Sequence, residues 1–396
     1  MNTRRLLYYI CTLWGTILTT LPLMADDTDM PIIAYMGVPN DQSTDQHFRD
    51  FSACGFNVSL YGYASLQQMI KACDIAQRHG VRILGHCPET HNTPELAAAR
   101  LKSHKGFFGY VLEDEPSAPQ IAVLQKEIVR LRRVDNEHCF YINLLPYYDE
   151  WVLAHTKTKT YDEYLEAATT ASCQQLSFDY YPITYDGLRH TWFYTLEAIR
   201  RHSLKIGRPF WGFVLSVPHA VYPQPTLAAL RLQVYTNLAY GAQAIQYFTY
   251  WTPQPEEEND YHNGPIDRDG TKTATYTLVQ LMNQELKPVS RLFFGAEVVS
   301  VGHLGDIPNG AARQRKMPTN IRSLKVSGGR GAVVSELQKD DHRYLAVVNK
   351  DYQNAMRVDI KARNNTPRRL TKRLTEETLA QTYTVGAGDL LLVRLK

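Results

Sequence analysis

Residues 56–87, FNVSLYGYASLQQMIKACDIAQRHGVRILGHC, contain the repeating unit from which the fold can be predicted. Two nearly continuous apolar runs, 56–63 and 81–87, enclose a stretch that starts with Ser65 and ends at Gly80. Continuous apolar runs are typical of strands buried on both faces. A Ser cap in front and a glycine behind are typical of a helix. The stretch therefore predicts a strand–helix–strand unit.

Similar apolar or aromatic runs recur along the chain, and the starts of successive runs are 25 to 35 residues apart. The other runs are 31–38 (PIIAYMGV), 107–113 (FFGYVLE), 140–145 (FYINLL), 174–181 (QQLSFDYY), 209–217 (PFWGFVLSV) and 244–251 (AIQYFTYW). Predicted helices at 93–105 and 226–240 likewise begin with a cap residue and are followed by a glycine. Eight such repeats predict an α/β fold, a (β/α)8 TIM barrel. The alternative is a doubly wound open sheet, but no GxGxxG follows the first strand.

The pattern of apolar runs changes after a polar loop at 253–270 and a predicted helix at about 272–289. From about residue 296, short runs are separated by Gly, Asn and Pro, which predicts a small antiparallel β-sandwich. These runs are 297–303, 320–326, 331–337, 343–349, 356–360 and 390–395. We therefore expect a signal peptide over 1–25, the barrel over 26–290 and the C-terminal β-sandwich over 291–396.

The first 25 residues have the order of a secretory signal peptide. Arg4 and Arg5 precede an apolar run over 6–24, and the small residue Ala25 precedes acidic residues. The alternative is a membrane anchor, but Thr, Gly and Pro within the run make a poor spanning helix. We expect an exported protein, periplasmic or extracellular, with no membrane association after signal cleavage.

Composition excludes several classes of protein. The chain is 44% hydrophobic and 21% charged, which excludes a disordered protein. Its net charge is +3, or +1 without Arg4 and Arg5, too near neutral for a nucleic-acid-binding protein. The five cysteines beyond the signal segment show neither paired spacing nor CxxC, so we expect no disulfide framework and no zinc site. The sequence gives no oligomeric state.

The most distinctive polar cluster is Glu113-Asp114-Glu115-Pro116, at the end of the fourth predicted strand. Reactive groups of such barrels project from the carboxyl ends of the strands. Repulsion and apolar surroundings raise the pKa of clustered carboxyl groups, so that one can act as a general acid near neutral pH. In a regular strand Glu113 and Glu115 would face inward and Asp114 outward. Alternatively, these acids stabilise the start of the next helix near Ser117.

Other polar and aromatic residues end the remaining strands. Asp179 is a lone acid within an aromatic run, where it either faces a ligand or forms an internal pair. Asn143 either holds a ligand hydroxyl or satisfies a buried backbone group. Aromatic side chains expected around the mouth are Tyr63, Tyr181, Tyr250 and Trp251. The alternative for the aromatic residues is the hydrophobic core.

A metal site is a further alternative at this mouth. His86, Glu89 and Asp179 could supply ligands, but no HExxH or HxH spacing supports them. We therefore expect no catalytic metal and no cofactor.

The stretch GYVLEDEP (109–116) resembles the fourth-strand motif of clan A glycoside hydrolases. In that motif an Asn-Glu pair, often followed by Pro, carries the acid/base; here Glu115 matches the Glu and Asp114 replaces the Asn. Residues 231–251 are similar to the last helix and strand of β-galactosidase-type barrels. Residues 267–286 are similar to the D-x-x-G segment and helix that follow them.

This resemblance implies an exported glycoside hydrolase that cleaves O-glycosidic bonds of an oligo- or polysaccharide. Glu115 would be the general acid. The residues expected to contact the sugar are Asp114, Asn143, Tyr63, Tyr181, Tyr250 and Trp251.

The seventh strand, FWGFVLSVPHA (210–220), lacks the nucleophilic Glu that this clan carries there. Three explanations remain open. Asp179, or in second place Glu113, supplies the missing carboxylate. The substrate supplies its own nucleophile, as in some hexosaminidases with adjacent Asp-Glu pairs. Or the protein is a catalytically inactive carbohydrate-binding barrel.

Overall fold

The computed structural model of this protein describes residues 29–396, so the predicted signal segment lies outside the described residues. The first part of the described chain alternates strands and helices. Its strands are β1 (Ile32–Tyr35), β2 (Val58–Gly62), β3 (Arg82–His86), β4 (Phe107–Asp114), β5 (Cys139–Leu144), β6 (Leu176–Phe178), β7 (Ile183–Thr184), β8 (Gly187–Leu188), β9 (Phe210–Leu215) and β10 (Ala244–Phe248).

Eight of these strands close into a parallel barrel in the order β1-β10-β9-β6-β5-β4-β3-β2. β7 and β8 form a separate hairpin between the sixth and seventh barrel strands. The predicted (β/α)8 barrel is confirmed, and each of its strands lies within or beside a predicted apolar run. The sixth strand is shorter than its predicted run, and Asp179 follows it directly rather than belonging to it.

Helices surround the barrel, and three of them begin directly after residues that the sequence predicts as caps, namely Ser65, Thr93 and Thr226. The helices are α1 (Asp45–Ala53), α2 (Leu66–Gln77), α3 (Pro88–Asn92), α4 (Pro94–Leu101), α5 (Ala118–Arg132), α6 (Trp151–Thr156), α7 (Tyr161–Thr170), α8 (Trp192–Ile206), α9 (Leu227–Tyr240) and α10 (Ala274–Phe293), with a 3-10 turn at Asn40–Gln42. Ser65 and Thr226 cap α2 and α9 by accepting hydrogen bonds from backbone N–H groups. Gly207 and Gly241 end α8 and α9 in the left-handed conformation that glycine adopts without strain.

The C-terminal part consists of two antiparallel sheets, as the sequence predicts. Its strands are β11 (Glu297–Gly305), β12 (Ile321–Ser327), β13 (Gly331–Lys339), β14 (His342–Asn349), β15 (Met356–Ala362), β16 (Arg368–Leu370), β17 (Glu376–Thr378), β18 (Thr382–Val385) and β19 (Leu390–Arg394). The sheet orders are β11-β13-β14-β19-β16-β17 and β12-β15-β18. β16 to β18 were not predicted, because their charged and exposed residues form no apolar run.

Three layers of apolar side chains hold the molecule together. Side chains such as Leu60, Phe108 and Trp211 fill the barrel interior. A larger core lies between the strands and the helices and continues into the six-stranded sheet through residues such as Val333 and Leu392. A third core separates the two C-terminal sheets. The barrel and the larger sheet therefore share one hydrophobic core.

The five cysteines of the described chain are free and buried. Within residues 29–396, no helix has the length and apolar character needed to cross a bilayer.

An ion-pair network ties the barrel helices to the C-terminal sheet. Glu285 on α10 accepts hydrogen bonds from Arg231 on α9 and, at 2.6 Å, from Lys372. Lys372 lies between β16 and β17 and also pairs with Asp389 at 2.7 Å. Burial opposes ionisation of Glu285, but its hydrogen bonds with Arg231 and Lys372 lower its pKa to about 2.

We expect Glu285→Gln to lower the free energy of unfolding by about 2 kcal/mol at neutral pH. A lowered pKa stabilises the folded state above the unfolded value, near pH 4.5, and this stabilisation is lost as the pH falls toward 2. Wild type and variant should therefore converge in acid. Chemical denaturation from pH 3 to pH 8 measures the difference. Glu376→Gln, which breaks the more exposed pair with Arg394, is the control and should cost less than about 1 kcal/mol. Equal losses for the two variants would contradict the expectation.

Candidate active site

A cavity of about 460 Å³ opens at the carboxyl ends of the first four barrel strands. Its lining residues are Tyr35, Met36, Leu60, Tyr61, Gly62, His86, His91, Val111, Leu112, Glu113 and Asp114. Barrels of this class place their reactive groups at this end. Two of the three clustered carboxyl groups thus face a space large enough for a sugar ring.

A bulge in β4 determines how the acidic cluster is arranged. Val111 pairs with Tyr141 and Glu113 pairs with Ile142, so β4 has one extra residue opposite β5. The bulge reverses the alternation of side chains beyond it and places Asp114 opposite Asn143. The condition under which Asp114 would face outward, a regular strand, is therefore not met, and Asp114 lines the cavity together with Glu113.

Asp114 is held by one donor from the neighbouring strand β5 and one from β1, which is not adjacent to β4 in the barrel. The Tyr35 hydroxyl donates to Asp114 Oδ2 at 2.8 Å, and Asn143 Nδ2 donates to Asp114 Oδ1 at 3.0 Å. Burial and the nearby Asp114 raise the pKa of Tyr35 far above its usual value, so the phenol keeps its proton. Both carboxylate oxygens therefore accept a hydrogen bond from a neutral donor.

A chain of hydrogen bonds across the barrel interior fixes Asn143 in turn. Asn143 is almost fully buried, and its Oδ1 accepts a hydrogen bond from Ser177 Oγ at 3.0 Å. Gln246 Nε2 donates to Ser177 Oγ at 2.8 Å, and the Tyr141 hydroxyl donates to Gln246 Oε1 at 2.9 Å. Strands β4, β5, β6 and β10 thus contribute to the position of one carboxylate.

Glu115 directly follows β4, and its carboxyl group lies beside Asp179, which follows the sixth barrel strand. Its φ of +50° lies in the left-handed region, which is costly for a residue with a side chain. Its N–H donates to the carbonyl of Asn143 at 2.9 Å, which holds this conformation. Burial and the negative charge of Asp114 raise the pKa of Glu115 to about 7, against a hydrogen bond with Asp179 that lowers it.

Asp179 lies directly after β6 and forms a pair with Glu115. Burial, Glu115 and Asp114 raise the pKa of Asp179 well above its usual value. The Tyr181 hydroxyl donates to Asp179 Oδ2 at 3.3 Å, whereas Oδ1 is buried without a hydrogen-bond partner. Since two adjacent buried carboxyl groups do not both ionise, the pair holds at least one proton near neutral pH.

An aromatic cluster fills the opposite side of the barrel mouth, over β9 and β10. It consists of Tyr35, Tyr181, Phe213, His219, Tyr222, Phe248 and Tyr261. The ring centroids of Tyr181 and Phe248 are 5.6 Å apart, and those of Tyr35 and Phe213 are 6.0 Å apart. β9 itself has no carboxylate. The described cavity therefore opens over β1 to β4 only.

Glu113 is exposed, and its charge acts on His86 and His91. The two imidazole rings meet edge to face with centroids 6.0 Å apart, and His91 Nδ1 contacts Glu127 Oε1 at 3.1 Å. Burial lowers the pKa of His86, so this ring is neutral at pH 7. Glu113 thus lines the cavity together with His86 and His91.

Three aromatic residues predicted around the mouth lie elsewhere. Tyr63 is buried in the core beside α2, and its hydroxyl has no hydrogen-bond partner. Tyr250 packs against Phe51 and Phe56, with centroids 4.8 and 5.5 Å away. Trp251 packs edge to face against His47 at 5.2 Å. The apolar runs that contain these three residues extend past the ends of the strands, and the side chains pack in the surrounding layer. The expectation that they surround the barrel mouth is therefore wrong. Of the four, only Tyr181 reaches the carboxyl group of Asp179.

The residues considered for a metal site are not brought together. Glu89 accepts a hydrogen bond from the N–H of Leu66 at 3.1 Å, at the start of α2, whereas Asp179 lies beside Glu115. Within residues 29–396, no three His, Cys, Asp or Glu side chains are grouped as metal ligands.

Tyr35, Tyr148 and Gln246 are site residues that the sequence analysis missed. Tyr35 lies within the first apolar run and is the last residue of β1; its position at a strand end is the signal that could have found it. The Tyr148 hydroxyl donates to the carbonyl of Asp179 at 3.2 Å from a loop, and Gln246 acts from inside the barrel. No local pattern marks either of these two residues.

No protein-family model and no curated protein matches the chain by sequence. Solved structures do match its fold. A GH42 β-galactosidase from G. stearothermophilus, solved as a catalytic mutant, has a TM-score of 0.64 and 10% identity, covering 93% of this chain and 98% of its own. A β-galactosidase from Bacillus circulans sp. alkalophilus has a TM-score of 0.62 and 10% identity, covering 93% and 100%. A β-galactosidase from Marinomonas ef1 has a TM-score of 0.55 and 10% identity over the same shares. At this identity the likeness is one of fold, and it confirms the barrel-and-sandwich architecture.

The raised pKa of Glu115 has a consequence for stability. A carboxyl group with a raised pKa destabilises the folded state once it ionises, so stability is lost as the pH rises from about 4.5 to about 7. Glu115→Gln removes this loss. We expect the variant to match wild type at pH 4 and to exceed it at pH 8 by up to about 3 kcal/mol. Thermal midpoints across this pH range measure the effect, with Glu113→Gln as the exposed control. An unchanged pH profile in Glu115→Gln would contradict the assigned pKa.

Proposed function

We propose that this protein is a glycoside hydrolase that cleaves an O-glycosidic bond of an oligo- or polysaccharide. One observation carries the proposal: Glu115, whose pKa is raised to about 7, follows directly after Asp114, which faces a cavity at the carboxyl end of β4. Glycoside hydrolysis uses a pair of carboxyl groups, one of which is protonated and acts as the general acid. Barrels of this kind place such groups at the carboxyl ends of their strands. The β-galactosidases that share the fold support the same reaction class.

Glu115 is the general acid of the proposed reaction. The departing sugar oxygen needs a proton as its bond to the anomeric carbon breaks, and a donor with a pKa near 7 holds that proton at neutral pH. After the bond breaks, the Glu115 carboxylate accepts a proton from the attacking water. Asp114 remains at its side as an acceptor, held by Tyr35 and Asn143.

Asp179 acts through Glu115 in this proposal, rather than as the second carboxylate favoured by the sequence. Burial and its two acidic neighbours disfavour its charged form, which a nucleophile or base would need. Its carboxyl group instead lies close enough to Glu115 for each to affect the pKa of the other. Asp179 is thus a positioning residue that fixes the acid and shares its proton.

The cavity lining favours a sugar without negative charge. Its lining residues include the acidic residues Glu113 and Asp114 but no Lys or Arg. Tyr61 and His86 offer hydrogen-bonding groups for hydroxyls, and Leu60 and Val111 offer apolar surface. Coulomb repulsion would weaken binding of a uronic acid or a sulfated sugar.

Export is part of the proposal and is supported by the order of charged, apolar and small residues over 1–25. We expect the protein from its native host to begin after Ala25 and to lie outside the cytoplasm. Intact-mass analysis of the periplasmic and cytoplasmic fractions tests this expectation. A full-length cytoplasmic product would contradict it.

We expect Glu115→Gln to fold and to lose activity in a way that depends on the leaving group. A sugar leaving group needs protonation, so hydrolysis of an oligosaccharide should fall about 10²- to 10⁴-fold. A 2,4-dinitrophenyl glycoside leaves without a proton, so its bond cleavage should fall far less. In wild type, turnover should decline as the pH rises above about 7. Initial rates with both substrates, measured over pH, make the comparison.

Glu95→Gln removes an exposed carboxylate that pairs with Arg130 on the outer helices, and it serves as the control. It should retain wild-type rates on both substrates. Undiminished oligosaccharide hydrolysis by Glu115→Gln would contradict the proposed role of Glu115. Saturable sugar binding by wild type without turnover of any glycoside would indicate a carbohydrate-binding barrel instead.

A further inference from the structure

We propose that the substrate carries a 2-acetamido group, that its carbonyl oxygen is the nucleophile, and that Asp114 orients it. The inference rests on the proposed glycoside hydrolase function and specifies its substrate class. The observations that support it are the direction of Asp114, the occupied far side of the mouth and the environment of Asp179.

A protein nucleophile would have to lie across the sugar from Glu115. Glu113 and Asp114 line the cavity, but both belong to β4, the strand that Glu115 follows, and not to a strand on the opposite side of the barrel. β9 has no acid, and aromatic rings including Phe213, Phe248 and Tyr222 occupy the space above it. Asp179 touches Glu115 itself, whereas the two carboxyl groups of a retaining pair stand about 5 Å apart on opposite sides of the bond. A nucleophile brought by the substrate removes this difficulty.

Asp114 is placed to hold such a group. Each of its oxygens accepts one hydrogen bond, from Asn143 or from Tyr35, and each retains a further lone pair. Asp114 lines the cavity, so these lone pairs are available to an amide N–H of the substrate. A carboxylate there would accept that hydrogen bond and balance positive charge on the amide as it reacts.

The cavity also suits the rest of an acetamido group. Its lining includes Met36, Leu60 and Val111, whose apolar side chains can contact the methyl group. Tyr61 and His86 also line the cavity and can bind ring hydroxyls.

The chemical step is balanced by groups already present. The amide carbonyl oxygen bonds to the anomeric carbon as the bond to the leaving oxygen breaks, and Glu115 transfers its proton to that oxygen. The products are the free alcohol and a cyclic oxazolinium ion, whose N–H remains hydrogen-bonded to Asp114. Water then bonds to the anomeric carbon, and its proton passes to Glu115. The bond between the anomeric carbon and the oxazolinium oxygen breaks, which restores the amide carbonyl group.

This route has a stereochemical requirement. The acetamido oxygen attacks from the face opposite the leaving group, so the two substituents must be trans. In gluco and galacto sugars that condition selects the β-anomer, and two inversions give net retention.

The first test compares aryl β-glycosides of 2-acetamido-2-deoxy-glucose and -galactose with the matched 2-hydroxy sugars. We expect the purified protein to cleave at least one acetamido substrate about 100-fold faster than its 2-hydroxy counterpart or more, since an intramolecular nucleophile is effectively concentrated. Cleavage of 2-hydroxy glycosides without such a preference would overturn the inference and leave the proposed function standing. Absence of cleavage of any aryl glycoside would count against both.

The second test examines the nucleophile directly. Replacing the acetyl group by mono-, di- and trifluoroacetyl weakens the carbonyl oxygen as a nucleophile while barely changing its size. We expect kcat to fall steeply with each fluorine. Rates independent of fluorine number would overturn the inference, even if acetamido sugars were preferred, because the group would then only bind.

The third test uses Asp114→Asn, which keeps the shape of the side chain but loses its charge. We expect kcat on the acetamido substrate to fall about 100- to 1,000-fold, with a smaller change in KM. Glu95→Gln, the outer-helix control, should keep the wild-type kcat. Circular dichroism and thermal midpoints check that both variants fold. An unchanged kcat in folded Asp114→Asn would overturn the assigned role.

Discussion

The bulge in β4 is the constraint on which the arrangement of the site depends. One extra residue opposite β5 turns Asp114 into the barrel, where Tyr35 and Asn143 donate to its oxygens. It also brings Glu115 to the end of the strand in a left-handed conformation, from which its side chain meets Asp179. Without the extra residue, the alternation of a regular strand would exchange the inward and outward positions. The interior hydrogen bonds of Asn143 then hold the result in place.

Electrostatics explains why three carboxyl groups can coexist at this end of the barrel. Asp114 receives hydrogen bonds from neutral donors, whereas Glu115 and Asp179 are more deeply buried and each has a raised pKa. Their mutual repulsion is relieved because the pair retains a proton. The pair therefore destabilises the folded state in alkaline solution. The same raised pKa values keep a proton on the pair near neutral pH, where it can be donated.

The mouth of the barrel has a cavity on one side and packed aromatic side chains on the other. The aromatic cluster fills the mouth above β9 and β10, so the cavity is confined to β1 through β4. The helices α9 and α10, next to the side with the aromatic side chains, pack against the C-terminal sheet through a shared apolar core. Glu285 with Arg231 and Lys372 adds an ion-pair network at that contact. The β-sandwich thus packs against the side of the barrel away from the cavity.

The eight barrel strands, their capped helices and most strands of the sandwich could be predicted from the sequence. Continuous apolar runs, Ser65 as a cap and Gly241 as a helix end are local signals that mark these elements directly. The position of the acidic cluster around Glu115 at the end of the fourth barrel strand could also be predicted, because its charges follow an apolar run. The orientation of Asp114 could not, since a bulge is a property of two paired strands. The burial of Trp251 and the pairing of Glu115 with Asp179 likewise depend on contacts between residues far apart in the chain. The sequence by itself determined which residues form strands and where charge accumulates; only the tertiary structure decided which carboxyl groups meet, because side-chain direction and pKa are set by packing across strands.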